Sequence, residues 1–163
     1  MNLATPTASK EKKALILHPD EGERINAFGS EAIFKLTGEN TGGNFTLCLG
    51  VVPPGGGPPP HVHSVDEEIF IIIEGQYNFL IGETWHEVGP GAVVYLPRGN
   101  PHTFKNVSDK PSRHWAMLNP SGFETFYARC AEVFSRPGAP DFARIGAISR
   151  EHGYEILRGG QSP

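Results

Sequence analysis

The stretch GPPPHVHSVDEEIF, residues 57–70, places two histidines and two glutamates within eight positions. His61 and His63 are two residues apart, so on a β-strand their side chains project from the same face and could bind one cation. Glu67 and Glu68 are adjacent, so a strand turns them to opposite faces and only one of them can join the histidines. The five residues after Glu68 are all apolar, and they do not choose between the two glutamates.

The surrounding chain consists of short apolar stretches separated by glycine, proline and asparagine, a pattern typical of strands and turns. In the segment 44–52, Phe45, Leu47 and Leu49 alternate with Thr46 and Cys48, as expected for a half-buried strand. Many short strands with frequent turns predict a β-sandwich or barrel. The predicted strands are 14–17, 32–36, 44–52, 60–64, 68–74, 76–81, 84–88, 92–96, 102–107 and 113–118.

The apolar pattern changes from period 2 to a helical period after Pro120. Ser121 and Glu124 have the spacing of a capping box, and aromatic side chains then recur at helical spacing. A second short helix is expected to begin after Asp141. We therefore predict that residues 121 to about 152 are mainly helical, with the aromatic side chains of the first helix in the core.

Two spaced motifs resemble those of the cupin superfamily. The first joins glycine, histidine and glutamate positions: Gly55, His61, His63, Glu68 and Gly75. The second joins glycine, proline, histidine and asparagine positions: Gly91, Pro97, Gly99, His102 and Asn106. Counting from Glu67 would miss the glycine that closes the first motif, so the resemblance selects Glu68.

The resemblance implies an all-β fold, a double-stranded β-helix or cupin barrel of the jelly-roll type. We expect a flexible N-terminal tail over residues 1–13 and a single cupin domain over residues 14–163. Within that domain we expect the barrel at about 32–118 and short C-terminal helices at about 121–152.

The resemblance also implies a metal site, with ligands at His61, His63, Glu68 and His102. Three imidazoles and one carboxylate suit one divalent transition metal, which leaves iron, manganese, nickel, cobalt, copper and zinc open. Asn106 is expected to support a turn rather than to bind metal. The remaining histidines lack a matching spacing and are interpreted as surface or packing residues: His18, His86, His114 and His152.

A substrate pocket is expected beside this site. Counting in twos from Glu68 and from His102 finds side chains that face the barrel interior, and the 44–52 strand could supply the opposite wall. The expected lining residues are Thr46, Cys48, Phe70, Ile72 and Phe104. Apolar walls beside a metal suit an aromatic or otherwise flat hydrophobic substrate.

The prolines before His61 and the short single-domain layout are similar to quercetin 2,4-dioxygenase-like cupins. That resemblance implies dioxygen-dependent cleavage of a flavonol or related enol, with Glu68 as both metal ligand and catalytic base. Two alternatives stay open. One is a metal-dependent isomerase, cyclase or lyase acting on a small carbonyl compound, and the other is a non-catalytic cupin that binds a small molecule.

Composition and charge indicate which kinds of partner to expect. The chain has 163 residues and a formal charge of −4, and it has no basic cluster beside exposed aromatics, so we expect neither nucleic acid nor membrane partners. Its one short apolar run near the N-terminus, residues 14–17, is too brief for a signal peptide, and we expect a cytoplasmic protein.

Cys48 and Cys130 are expected to be buried thiols rather than a disulfide. A homodimer is expected from the family resemblance and from apolar segments that could pair between copies.

Overall fold

The computed structural model describes residues 12–157, so the predicted tail over residues 1–13 lies almost entirely outside the described residues. The described range contains eleven strands and three helices. The strands are β1 Glu23–Ala27, β2 Ser30–Leu36, β3 Thr46–Val52, β4 His61–His63, β5 Glu67–Glu74, β6 Tyr77–Ile81, β7 Thr84–Val88, β8 Val93–Leu96, β9 His102–Asn106, β10 Ser112–Asn119 and β11 Tyr154–Ile156. The helices are α1 Gly38–Thr41, α2 Phe123–Phe134 and α3 Phe142–Glu151.

The strands form two antiparallel sheets with the apolar core between them. One sheet has the order β1–β2–β3–β10–β5–β8, and the other has the order β11–β4–β9–β6–β7. Strands that are distant in the chain are therefore neighbours in space, as in β3 beside β10 and β4 beside β9. This arrangement is the predicted double-stranded β-helix with short C-terminal helices, and the fold class is confirmed.

Alternating side chains on β5 and β10 fill the space between the sheets. Phe70 and Ile72 on β5 are buried, whereas Ile71 between them is exposed. Ala116 and Leu118 on β10 are buried in the same way. Period-2 counting from Glu68 thus predicts the inward face of β5 correctly.

The C-terminal helices add a second apolar layer. Helix α2 packs against β1 and α3, and a cluster centred on Phe126, Cys130, Ile145 and Ile148 holds them together. Asp141 caps α3, because its carboxylate accepts a hydrogen bond from the backbone N–H of Arg144 at 2.9 Å. Among the described residues, no helix is long and apolar enough to span a membrane.

The predicted capping box at the start of α2 is wrong. Gly122 occupies the N-cap position, and Ser121 makes no capping bond there. The Glu124 carboxylate does accept a hydrogen bond from the backbone N–H of the N-cap residue Gly122, at 3.1 Å, but it also accepts from the backbone N–H of Gly38, at 2.7 Å, and from the hydroxyl of Thr46. Local spacing could not foresee the bonds to Gly38 and Thr46, because both residues come from distant parts of the chain.

Three short segments also differ from the predicted strands. Residues 14–17 form no strand, and Leu15 and Ile16 are exposed. Strands β1 and β11 were not expected, because β1 carries only two buried apolar residues and β11 has only three residues. Each gains its backbone partners from an existing strand, β2 for β1 and β4 for β11.

Two motif residues outside the ligand set shape the turns of the barrel. Gly75 has φ 84°, and a Cβ there would lie 1.8 Å from Oγ of Ser112, so only glycine fits. Asn106 is 1% exposed, and its amide donates to the backbone oxygens of Val52 and Lys110, both at 2.9 Å. Its predicted role in supporting a turn is therefore confirmed.

Candidate metal centre and adjoining cavity

Three strands from both sheets bring the four predicted ligands to one point. His61 and His63 lie on β4, and His102 lies directly opposite His61 on the neighbouring β9. Glu68 reaches the same point from β5 in the facing sheet. The potential ligand atoms of all four lie within 4.8 Å of one another.

The carboxylate of Glu68 faces the imidazoles at short range. Its Oε2 lies 3.4 Å from Nε2 of His102 and 3.8 Å from Nε2 of His63. The ring centres of His61 and His102 are 4.3 Å apart. Glu68, His63 and His102 are each at most 5% exposed, so a cation held here would be shielded from water.

Backbone acceptors orient two of the imidazoles. Nδ1 of His61 lies 2.8 Å from the backbone oxygen of Pro59, and Nδ1 of His102 lies 3.0 Å from that of Asn100. A carbonyl can only accept, so each Nδ1 carries the hydrogen and each Nε2 keeps a free lone pair for a metal. Nε2 of His102 is buried and has no hydrogen-bond partner among the described residues, which is the state expected of a ligand atom.

A carboxylate orients the third imidazole. Nδ1 of His63 lies 3.1 Å from Oδ1 of Asp66, and the hydroxyl of Tyr154 donates to Oδ2 of Asp66 at 2.6 Å. Tyr154 also packs its ring edge-on against His63, with ring centres 4.5 Å apart. A carboxylate behind a ligating histidine holds the ring and increases its basicity, as is common in metal sites.

The pKa values of the two histidines on β4 are shifted in opposite directions. Burial lowers the pKa of His61 well below its ordinary value, and the neighbouring imidazoles of His102 and His63 lower it further. Burial opposes protonation of His63 as well, but Asp66 and Glu68 outweigh it and raise the pKa of His63. The donor set of three imidazoles and one carboxylate fits a divalent transition metal, and the identity of that metal stays open.

Glu67 points away from this cluster. Its carboxylate accepts a hydrogen bond at 2.9 Å from the hydroxyl of Tyr95 on the exposed side of β8. In the β5–β10 ladder Glu67 lies opposite Asn119, whereas Glu68 lies opposite the buried Leu118. The opening stretch therefore contributes Glu68, and not Glu67, to the cluster.

The cluster opens into a cavity of about 120 Å³ between the two sheets. His61, His63 and Glu68 contribute to its wall. The remainder is mainly apolar and draws on both the barrel and α2, with Ala32, Val52, Phe70, Phe104, Ala116, Phe123 and Phe126 among the lining residues. An apolar cavity with a few polar groups at one end is the usual form of a small-molecule site.

Three of the five predicted pocket residues line this cavity, namely Cys48, Phe70 and Phe104. Burial raises the pKa of the Cys48 thiol, which therefore stays neutral. Thr46 and Ile72 do not line this cavity. The hydroxyl of Thr46 is held by Glu124, and Ile72 is sealed in the core at 1% exposure.

Sequence reasoning missed His114, Asp66 and Tyr154. His114 lies on β10, four residues before Leu118 and therefore on the same inward face, and it lines the cavity. Period-2 counting along β10 could have placed it there. Nothing comparable could have found the contact between Asp66 and Tyr154, which are 88 residues apart and meet only because β11 joins β4.

Comparison with known proteins agrees with this architecture. Residues 48–117, which contain all four clustered residues, match a cupin domain family, Cupin_2. An uncharacterised protein of Methanocaldococcus jannaschii is 32% identical over 66 residues, which are 40% of this chain and 53% of that protein. This chain therefore spans about half the length of that curated relative.

Two solved structures share the fold. A predicted oxalate decarboxylase from Thermotoga maritima superposes with a TM-score of 0.59 at 22% identity, over 65% of this chain and 99% of that one. The polyketide cyclase RemF from Streptomyces resistomycificus superposes with a TM-score of 0.58 at 23% identity, over 67% of this chain and 81% of that one. The matched segment is thus similar to a cupin domain, and the two solved structures show that the fold of the chain is shared with cupin proteins.

Proposed function

We propose that this protein is a metal-dependent cupin enzyme that acts on a hydrophobic small molecule bearing an enol or hydroxyl oxygen. The observation that carries the proposal is the opening of the three-imidazole, one-carboxylate cluster into an apolar cavity. A substrate in that cavity would present one oxygen to the cluster while apolar walls hold the rest of the molecule.

The residues of the cluster would have different chemical roles. His61, His63, Glu68 and His102 would hold a divalent metal, which when bound supplies Lewis acidity that makes a coordinated hydroxyl more acidic. Glu68 is the one carboxylate of the cluster, so it is the residue placed to accept the released proton. Because the acidified hydroxyl gives up its proton easily, a weak base suffices.

More specifically, we propose that the reaction is an oxidation. The apolar, partly aromatic lining suits a flat substrate such as a flavonol or a related enol, and it limits access of water. We propose dioxygen-dependent cleavage of the quercetin 2,4-dioxygenase type for such a substrate. Non-oxidative chemistry is the second candidate, because the two structural relatives described above bear the names of a decarboxylase and a cyclase.

Metal analysis tests whether the four-residue cluster binds a metal. Replacing His63 or His102 by Ala should remove most of the metal from the purified protein, since each removes one imidazole from the cluster. His86→Ala is the matched control, because His86 is an exposed histidine on β7, outside the cluster. Equal metal loss in the control and in the cluster variants would contradict the site.

Turnover tests the reaction. The protein, loaded separately with Fe²⁺, Mn²⁺, Ni²⁺, Co²⁺, Cu²⁺ or Zn²⁺, is given a panel of flavonols while dissolved dioxygen and product are recorded. Consumption of dioxygen with loss of the flavonol supports the oxidative form. Product formed equally well under nitrogen would instead support the isomerase, cyclase or lyase alternative, and tight binding without product would indicate a non-catalytic cupin.

A further inference from the structure

The cavity has a second polar end, distant from the ligand cluster. In the β5–β10 ladder, Leu118 lies opposite Glu68, and His114 lies opposite Ile72. Four residues separate the two levels, which corresponds to ~13 Å at the rise of a β-strand. Both Glu68 and His114 contribute to the wall of the same cavity, so the cavity reaches from one level to the other.

His114 is held rigidly at that far end. The residue is 5% exposed, and its ring packs edge-on against Phe70 and Phe104, with ring centres 5.0 and 5.5 Å apart. The hydroxyl of Tyr77, itself fully buried, lies 3.0 Å from Nδ1 of the imidazole. These contacts fix the plane of the ring and satisfy one of its two nitrogens.

Gly50 on β3 makes room for the other nitrogen. It lies directly opposite His114 in the β3–β10 ladder, and a Cβ at position 50 would come within 2.3 Å of Nε2 of His114. Glycine in the middle of a strand weakens the strand, and it commonly marks a close approach of another group. Gly50 and His114 both line the cavity. The edge of the imidazole therefore forms the part of the wall that the side chain of a larger residue at position 50 would occupy.

The free nitrogen is suited to a neutral hydrogen-bonding partner. Burial lowers the pKa of His114 to about 4, so the ring is neutral at pH 7. In either tautomer Nε2 is a hydrogen-bonding atom, as donor when Tyr77 donates to Nδ1 and as acceptor when Nδ1 carries the hydrogen. A hydroxyl group can match both states, because it donates and accepts.

We infer that His114 determines substrate specificity by hydrogen-bonding a hydroxyl group at the end of the substrate far from the ligand cluster. This inference rests on the proposed function and deepens it. The substrate class is an elongated molecule with an apolar, aromatic middle and oxygen functions at both ends. One oxygen meets the cluster of His61, His63, Glu68 and His102, and the other meets Nε2 of His114.

Binding measurements separate this inference from the reaction. The protein is loaded with Zn²⁺, which is redox-inert, and the Kd is measured by calorimetry for 3-hydroxyflavone and for its 4′-hydroxy and 7-hydroxy derivatives. One of the two derivatives should bind roughly tenfold more tightly than 3-hydroxyflavone, as one buried hydrogen bond would give. Equal Kd values for all three overturn the inference alone. Failure of all three to bind overturns the proposed substrate class and the inference with it.

Variants assign the preference to the imidazole. His114→Phe keeps a ring of similar shape without the nitrogens, so the preference should disappear while Zn²⁺ content and the affinity for 3-hydroxyflavone are retained. Gly50→Ala is a second variant with the same expected result, because its methyl group displaces the ring. His86→Phe is the matched control and should keep the preference. A preference that persists in folded His114→Phe or Gly50→Ala overturns the inference.

Discussion

At the scale of single residues, two adjacent glutamates receive different roles from strand alternation alone. Glu68 faces the buried imidazoles, and Glu67 faces the hydroxyl of Tyr95 on the outer side of the sheet. The chemical difference between the two carboxylates therefore arises entirely from their surroundings, since the side chains are identical.

Glutamine substitutions should expose this difference. Glu68→Gln keeps the shape of the side chain but removes the basic oxygen, so turnover of a proven substrate should fall by ~10²–10⁴. Glu67→Gln should stay near the wild-type rate. Rates are compared at full metal loading, so that lost chemistry is separated from lost metal. Undiminished turnover by metal-loaded Glu68→Gln would show that another group is the base.

His114 should make the stability of the protein depend on pH. Its pKa is about 4 in the folded protein, against about 6.5 in an unfolded chain, so between these values only the unfolded state binds the proton. Lowering the pH from 7 to 5 should therefore reduce the free energy of unfolding by about 2 kcal/mol through this residue. Tyr77, the titratable group beside it, stays neutral in this range because burial raises its pKa.

Urea unfolding of the metal-free protein at pH 7 and pH 5 measures this contribution. His114→Phe lacks the titrating group, so its stability should fall by about 2 kcal/mol less than that of the wild type. Identical losses in the two proteins would mean that the pKa of His114 is not lowered in the folded protein.

At the scale of secondary-structure elements, β11 links the C-terminal part of the chain to the ligand cluster. It pairs with β4, and Tyr154 lies opposite His63 in that ladder. The hydroxyl of Tyr154 holds Asp66, which in turn lies behind His63. A three-residue strand outside the barrel motifs thus orients one of the candidate ligands.

Loss of this support should weaken metal binding. Asp66→Asn removes the charge behind His63 and should lower metal affinity by ~10–100-fold. Tyr154→Phe removes only the hydroxyl and should have a smaller effect in the same direction. Glu155→Gln is the control, because Glu155 lies on the same strand but is exposed. A metal competition titration measures all three, and an unchanged affinity in Asp66→Asn would contradict this role.

At the scale of the whole molecule, the described chain leaves apolar surface uncovered. Val93 and Tyr95 are 65% and 55% exposed on β8, which is the terminal strand of the six-stranded sheet. Ile71 and Ile73 are exposed on the adjacent β5. An unpaired strand edge beside an apolar face is a common place for two copies of a chain to meet.

The homodimer therefore stays a prediction, now with a surface to test. Light scattering at micromolar concentration should give twice the mass of the chain. Val93→Lys places a charge on the exposed edge and should shift the protein toward the monomer, whereas Glu83→Lys, in the exposed turn between β6 and β7, should not. A wild-type protein with the mass of a single chain would contradict the prediction.

The sequence by itself determined the barrel class and the four clustered residues. Period-2 alternation groups His61 with His63 on one face of a strand, and the resemblance of two short motifs to those of cupins then selects Glu68 and implies the barrel class. Only the tertiary structure decided which additional groups serve the site. Glu124 accepts a hydrogen bond from the hydroxyl of Thr46, Tyr154 donates to Asp66 across 88 residues of the chain, and the ring of His114 occupies the space that a side chain at Gly50 would need. These contacts exist only after distant strands have paired, and no local pattern in the chain encodes which strands become neighbours.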